Sequence, residues 1–239
     1  GTVSAGARPT KRETGMTDQH AVYTPPAGYP ILTPLYDIGV RLSTREKRWR
    51  RDLVDLIEPK CNEVLLDIGA GTGSLAPLLA TKNPATTSFG IDPDEDAIQI
   101  ARKKAGRAGI DAEFKHGLFS VATVAKWPAP NIATLCLVLH QVPYDEKLRL
   151  LCEIYEALKP GGRLFIADYG EQQSRLMRVL FRATIQQLDG VSDTQPNADG
   201  ALVPLMEQAG FLSITECKRY QTITGLISIY GATKTSADE

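Results

Sequence analysis

The sequence predicts a doubly wound α/β domain, a mostly parallel seven-stranded sheet with an antiparallel C-terminal hairpin edge. Three observations predict it. From residue 64 onward, short apolar runs alternate with amphipathic segments of helix length, the pattern of parallel strands joined by crossover helices. A glycine-rich turn follows the first of these runs. The last two runs, 214–221 and 226–232, are separated only by a short turn near Gly225, so they can pair with each other.

The elements follow in order. Residues 43–58 predict a helix with Trp49, Leu53, Leu56 and Ile57 on one face. Strands are expected at 64–68, 88–91, 112–116, 132–139 and 164–167. The run at 132–139 is apolar throughout, as a central strand buried on both faces requires. Helices are expected at 75–80, 95–108, 145–158, 175–188 and 202–209, with 189–200 read as a polar connection. Gly161 and Gly210 mark two helix ends. Pro25, Pro26 and Pro30 exclude a helix interior from 23–34, which reads as an extended arm.

Composition narrows the class. The chain has 239 residues, 43% hydrophobic and 23% charged, enough for a sizeable core without covalent staples. A net charge of -1 gives no overall attraction to nucleic acid, and none is expected as a partner. The four cysteines, Cys61, Cys136, Cys152 and Cys217, have no metal-ligand spacing, so no metal is expected, and they suit a cytoplasmic setting. No apolar run has the length of a membrane helix, and no leader pattern opens the sequence. Nothing in the residues sets the oligomeric state.

The most informative segment is Leu65-Leu66-Asp67-Ile68-Gly69-Ala70-Gly71-Thr72-Gly73. A strand ends in an acid, three glycines alternate, and a helix begins. Glycine lets the backbone take left-handed angles and approach a ligand closely. A dinucleotide fingerprint would place its third glycine one position later. Asp67 also argues for an amino-acid moiety, because a carboxylate repels bound phosphates. The next strand ends in Asp92, 19 positions after Gly73, where a carboxylate can accept hydrogen bonds from a ribose diol.

These segments, with GIDPDEDAIQIARKKA, NIATLCLVLHQVP and ALKPGGRLFIADYG, make the chain resemble the class I S-adenosylmethionine methyltransferases, specifically the ubiquinone/menaquinone-biosynthesis branch. The resemblance covers roughly 35–232 and implies a Rossmann-like sheet with S-adenosylmethionine as cofactor. It implies that Asp67, Gly69, Ala70, Gly71 and Gly73 surround the methionine moiety, that Asp92 holds the ribose, and that Pro93 lies beside the adenine. Leu137 would line the pocket, and Tyr36 would reach it from an amino-terminal cover. The family often has an acid after the third strand, whereas this chain has His116-Gly117-Leu118. Gly117 and Leu118 are the adenine-side candidates here.

The expected division is a disordered extension at 1–22, an arm and cover helix at 23–60, and the methyltransferase domain at 61–239. A cover segment is expected near 172–200. Its Met177, Phe181, Leu188 and Val191 read either as an acceptor lining or as core packing.

The expected chemistry is in-line transfer of a methyl group to a small-molecule or lipid-like acceptor. Alignment in a dry pocket supplies most of the acceleration, and a base is needed only if the acceptor must lose a proton. His140 is the base candidate, with a structural histidine as the alternative reading. Tyr169 and Asp168, at the end of the fifth strand, could orient an acceptor or simply satisfy each other. The basic run 45–51 reads as a solvated helix face, an anionic-surface contact or, least of all, a nucleic-acid contact. The rival functional readings are a cofactor-binding scaffold without transfer and an NAD-dependent oxidoreductase.

Overall fold

The structure is a computed structural model and describes residues 45–236. Seven strands form one sheet in the order β3-β2-β1-β4-β5-β7-β6. They are β1 (Val64–Ile68), β2 (Thr87–Asp92), β3 (Ala112–His116), β4 (Ile132–Cys136), β5 (Arg163–Tyr169), β6 (Leu212–Thr222) and β7 (Gly225–Thr233). The first five are mutually parallel, and β7 runs antiparallel to both β5 and β6. The expected sheet and its hairpin edge are both present. Strand order reverses between β1 and β4, where an open α/β sheet forms its ligand crevice.

Alternation along the strands sorts the core into two layers. Leu66, Ala133, Leu135, Leu164 and Ile166 face one side. There they meet Leu151 and Ile154 of α5 (Tyr144–Ala157) and Leu205 and Met206 of α9 (Leu202–Gln208). Leu65, Ile132, Phe165 and Ala167 face the other side. They meet Trp49, Leu53 and Ile57 of α1 (Glu46–Ile57), spaced four residues apart on one helical stripe, and Leu79 of α2 (Ala76–Lys82). Polar contacts help to anchor α1. The Tyr220 hydroxyl donates to Asp52 at 2.6 Å, and Arg163 donates to the Ile57 carbonyl at 2.5 Å. Helix α3 (Glu95–Ala108) starts at Asp94, whose side chain accepts from the Ala97 N–H, and stops at the left-handed Gly109.

The fourth strand is shorter than its apolar run predicts. It ends at Cys136, Leu137 takes a left-handed φ of 58°, and Leu139–Gln141 form a 3₁₀ turn. The cause is Asp168 on β5. Its Oδ2 accepts from the backbone N–H groups of Val138 (3.0 Å), Leu139 (2.7 Å) and His140 (3.3 Å). Three successive donors converging on one oxygen bend the chain out of the strand. Leu137 therefore lies beyond the strand end, and His140 sits on the 3₁₀ turn.

The segment after β5 also departs from expectation. The helix expected over 175–188 breaks at Thr184 into α6 (Arg175–Ala183) and α7 (Ile185–Asp189). The Thr184 hydroxyl donates to Leu180 O at 2.7 Å and lies 3.3 Å from Thr224 O on the β6–β7 turn. The expected polar connection contains a further helix, α8 (Val191–Ala198). Tertiary bonds hold it: the Asn197 amide donates to Tyr169 O at 3.0 Å, and the Gln172 N–H donates to Ala198 O at 3.0 Å. A short helix, α4 (Val121–Val124), also forms where none is expected, inside a Ser120–Thr123 capping box. The expected extension and arm, including Tyr36, lie outside the described residues.

Asp168→Asn places an amide donor against a fan of N–H donors. Removal of one partner from a buried charged network typically costs 3–5 kcal/mol. The expected loss is therefore about 3 kcal/mol in unfolding free energy, read from urea denaturation.

Candidate active site

The carboxyl ends of β1 to β4 bring most of the predicted site residues together. The Gly69 and Ala70 N–H groups both donate to Ile91 O, which ties the glycine loop to β2. The Gly71 N–H donates to Asp92 Oδ2 at 2.8 Å, and the Asp94 N–H donates to Asp92 Oδ1 at 2.8 Å. Asp92 pairs with His116 across β2 and β3, and the Gly117 N–H donates to Asp92 O. His116 Nε2 lies 3.1 Å from Pro93 O. Asp92, Pro93, Gly117 and the exposed Leu118 thus lie side by side.

The three glycines do different work. A Cβ at Gly69 would stand 2.3 Å from a Val138 methyl, so this residue permits contact with the segment after β4. A Cβ at Gly73 would stand 2.8 Å from both Ala101 and Phe114, so this one permits α3 and β3 to pack closely. A Cβ at Gly71 would meet nothing within 4 Å. Gly71 also has a φ of 51°, disfavoured for any residue with a Cβ. The middle of the loop therefore offers open backbone beside Asp92, as the cofactor reading requires.

Asp67 is buried, and its Oδ1 accepts from the Thr134 hydroxyl at 2.7 Å. Strand alternation points it, two residues after Leu65, toward the α1 side. Burial raises its carboxyl pKa to about 6, with Asp92 adding to the rise, while the Thr134 bond and the charge of Arg50 oppose it. Arg50 went unnoticed as a site residue because it lies in a basic run that reads as a solvated face. Four neighbours in that run, Arg45, Lys47, Arg48 and Arg51, are indeed exposed. Arg50 instead lies one residue after the fully buried Trp49 and turns inward. Its Nε donates to Glu46 at 2.6 Å, its guanidinium lies 4.7 Å from the Trp49 ring centroid, and its charge acts on Asp67 and Cys136. The signal that could have found it is its position one residue past an i, i+4 apolar stripe, on the shoulder of the buried face.

His140 is buried, with both ring nitrogens near carboxylates. Nδ1 lies 2.7 Å from Asp168 and Nε2 lies 3.4 Å from Asp189. Burial works against protonation. The charge of Asp168 and its hydrogen bond, followed by those of Asp189, outweigh it and push the pKa up to about 9. Tyr169 is also buried; its hydroxyl lies 2.9 Å from Thr224 Oγ1 and its ring packs edge-on against His140. Lys147, another buried group not singled out in the sequence, donates to Leu139 O at 2.5 Å and Asp193 O at 2.7 Å. It ties the 3₁₀ turn to α8. In the segment expected to form a cover, Met177 and Phe181 are buried, while Leu188 and Val191 are exposed. Among the described residues no cluster of potential metal ligands exists.

The chain is similar to known proteins. A family model described as a methyltransferase domain matches residues 65–162. The demethylmenaquinone methyltransferase of Thermus thermophilus is 28% identical over 159 residues, covering 66% of this chain and 71% of that protein. The ubiquinone/menaquinone biosynthesis C-methyltransferase UbiE of Methylococcus capsulatus is 26% identical over 233 residues, covering 88% of this chain and 89% of its own. Among solved structures, magnesium protoporphyrin IX methyltransferase from Synechocystis PCC 6803 with bound S-adenosylhomocysteine superposes with a TM-score of 0.64 at 18% identity, covering 82% of this chain and 87% of that one. An O-methyltransferase family protein from Burkholderia thailandensis gives a TM-score of 0.65 at 18% identity, covering 86% of this chain and 60% of that one. The domain match and the two methyltransferase relatives, one of them near full length, agree that the chain is an S-adenosylmethionine-dependent methyltransferase.

Proposed function

We propose that this enzyme methylates a small, lipid-like acceptor of the quinone type, at a site built from Asp67–Gly73, Asp92–Pro93, Gly117–Leu118 and Leu137. The observation that carries the acceptor class is the near full-length match to a quinone-biosynthesis C-methyltransferase. The cofactor cradle rests on the open backbone at Gly71 beside Asp92, with Asp67 and Arg50 behind it.

S-adenosylmethionine supplies a methyl group activated by a sulfonium. Asp67 takes the ammonium of the methionine moiety, and Arg50 on α1 takes its carboxylate, so the zwitterion meets a complementary buried pair. Asp92 accepts from the ribose hydroxyls while keeping its bonds to Gly71 and Asp94, since each carboxylate oxygen has spare acceptor capacity. Leu118 covers the adenine, and the left-handed Leu137 presents its side chain from the end of β4. The chain's contribution to transfer is alignment and exclusion of water.

This reading gives His140 and Tyr169 positioning roles. A histidine raised to about 9 is protonated near neutral pH, hydrogen-bonded to Asp168 at Nδ1 and facing Asp189 3.4 Å from Nε2, so it is a poor base. A ring carbon beside a quinol hydroxyl attacks the methyl as the methyl–sulfur bond breaks, and the ring carbon's proton is released to solvent afterwards, so bond formation itself needs no base.

Three outcomes check these assignments. Arg50→Ala should weaken S-adenosylhomocysteine binding by about tenfold or more in calorimetric titration, the loss of one charge-assisted hydrogen bond. Asp67 must be ionised to receive the ammonium, and its pKa before binding is about 6. Affinity should therefore hold steady above pH 7 and fall on acidification, by up to about tenfold per pH unit below 6. Asp67→Asn should bind weakly and abolish that fall. With labelled methyl donor, product should form from a short-chain demethylated quinol. Label confined to amines or phospholipid headgroups would overturn the acceptor class.

A further inference from the structure

Four of the nine exposed large apolar side chains among the described residues fall within 176–191, the segment after β5: Leu176, Val179, Leu188 and Val191, exposed by 63, 62, 47 and 54%. A fifth, Ile223 at 68%, tips the β6–β7 turn, which Thr184 joins to the end of α6. Exposure of this kind, gathered in one region, marks an interaction surface.

Helix α6 has a divided exterior. Met177 and Phe181 face the core. At 100° per residue, Arg178, Arg182 and Arg175 fall on one flank of the exposed arc, and Val179, Ala183 and Leu176 fall on the other. Residues 175–183 contain no acid. Arg178 meets Asp199 at 3.1 Å, whereas Arg175 and Arg182 have no acidic partner among the described residues. An arginine flank beside an apolar flank is the design of a helix lying in the headgroup layer of an anionic bilayer. Asp199 neutralises one of the three arginines on this flank, so the border that α6 presents stays net cationic and favours an anionic surface over a partner of mixed charge.

We propose that α6, with Leu188 and Val191 beyond it, docks the enzyme on an anionic membrane surface. Leu176 and Val179 insert among the acyl chains, and Arg175 and Arg182 pair with lipid phosphates. The inference rests on a lipid-like acceptor for its purpose, because α6 leaves the carboxyl end of β5, next to the site. Docking there brings the enzyme to a bilayer-dissolved acceptor without a membrane-spanning helix, of which the described residues contain none.

The test is sedimentation of the whole chain with phosphatidylcholine vesicles, with or without phosphatidylglycerol, in the absence of any acceptor. The enzyme should co-sediment with the anionic vesicles, bind neutral ones at least tenfold more weakly, and release as salt rises. L176E/V179E should lose at least tenfold in vesicle binding while keeping its S-adenosylhomocysteine affinity and its turnover of a water-soluble acceptor. Should that variant fail to fold, R175Q/R182Q should show the same loss toward anionic vesicles alone. Wild-type enzyme left in the supernatant, or variants that sediment equally well, would overturn the proposal. So would light scattering that shows a dimer converted to monomers by L176E/V179E, since a second copy would then cover this face. Vesicle binding with no quinol turnover would instead fault the acceptor assignment.

Discussion

The buried carboxylate of Asp168 organises the catalytic edge. Its two oxygens receive the N–H groups of Val138, Leu139, His140 and Tyr169 together with the ring of His140. The fan of donors ends β4, gives Leu137 its left-handed backbone and brings Val138 against Gly69. Without a buried acceptor, those N–H groups would sit unsatisfied beside an apolar core, at a cost of about 1–3 kcal/mol each. One side chain on β5 thereby sets the wall that β4 presents to the glycine loop on β1.

The pairing of Asp67 with the field of Arg50 follows from strand alternation. Leu65 and Asp67 face α1 because Leu66 and Ile68 face the opposite layer. Position 134 does the same on β4, which is why a threonine there reaches Asp67. An acid buried among apolar groups drifts toward neutrality, and only the guanidinium and the hydroxyl resist. The balance leaves a group that ionises readily when a cationic ligand approaches. Arg50 is fixed meanwhile by Glu46 and Trp49, so little ordering is left for binding to impose.

Much of the fold was legible in the sequence because its signals are local. The apolar runs, Gly210 as a helix stop and the alternating glycines each act within a few residues. What escaped is tertiary. The end of β4 depends on an acid some 30 positions away on β5. Helix α8 contains Pro196 and lies between Gly190 and Gly200, so its local chemistry reads as a loop, and its stability comes from Asn197 bound to the β5 terminus. Thr184 breaks a helix whose periodicity gave no warning, because its hydroxyl faces a turn forty residues later in the chain. In the site, the motif residues could be found by their own spacing, whereas Arg50 shows only through its place beside the Trp49–Leu53–Ile57 stripe. Its role depends on which shoulder of α1 meets the sheet, and a one-dimensional charge run does not carry that information.

The hairpin edge has a consequence for assembly. Strand β7 lies between β5 and β6 although it follows every other described strand in the chain. Until it inserts, β5 has an open hydrogen-bonding flank and β6 has no neighbour. Parallel strands β1 to β5 can pair as they emerge from the ribosome, but this half of the sheet must wait for the polypeptide past Thr233. A nascent or truncated form stopping short of Gly225 would expose a raw β5 border, an invitation to intermolecular strand pairing.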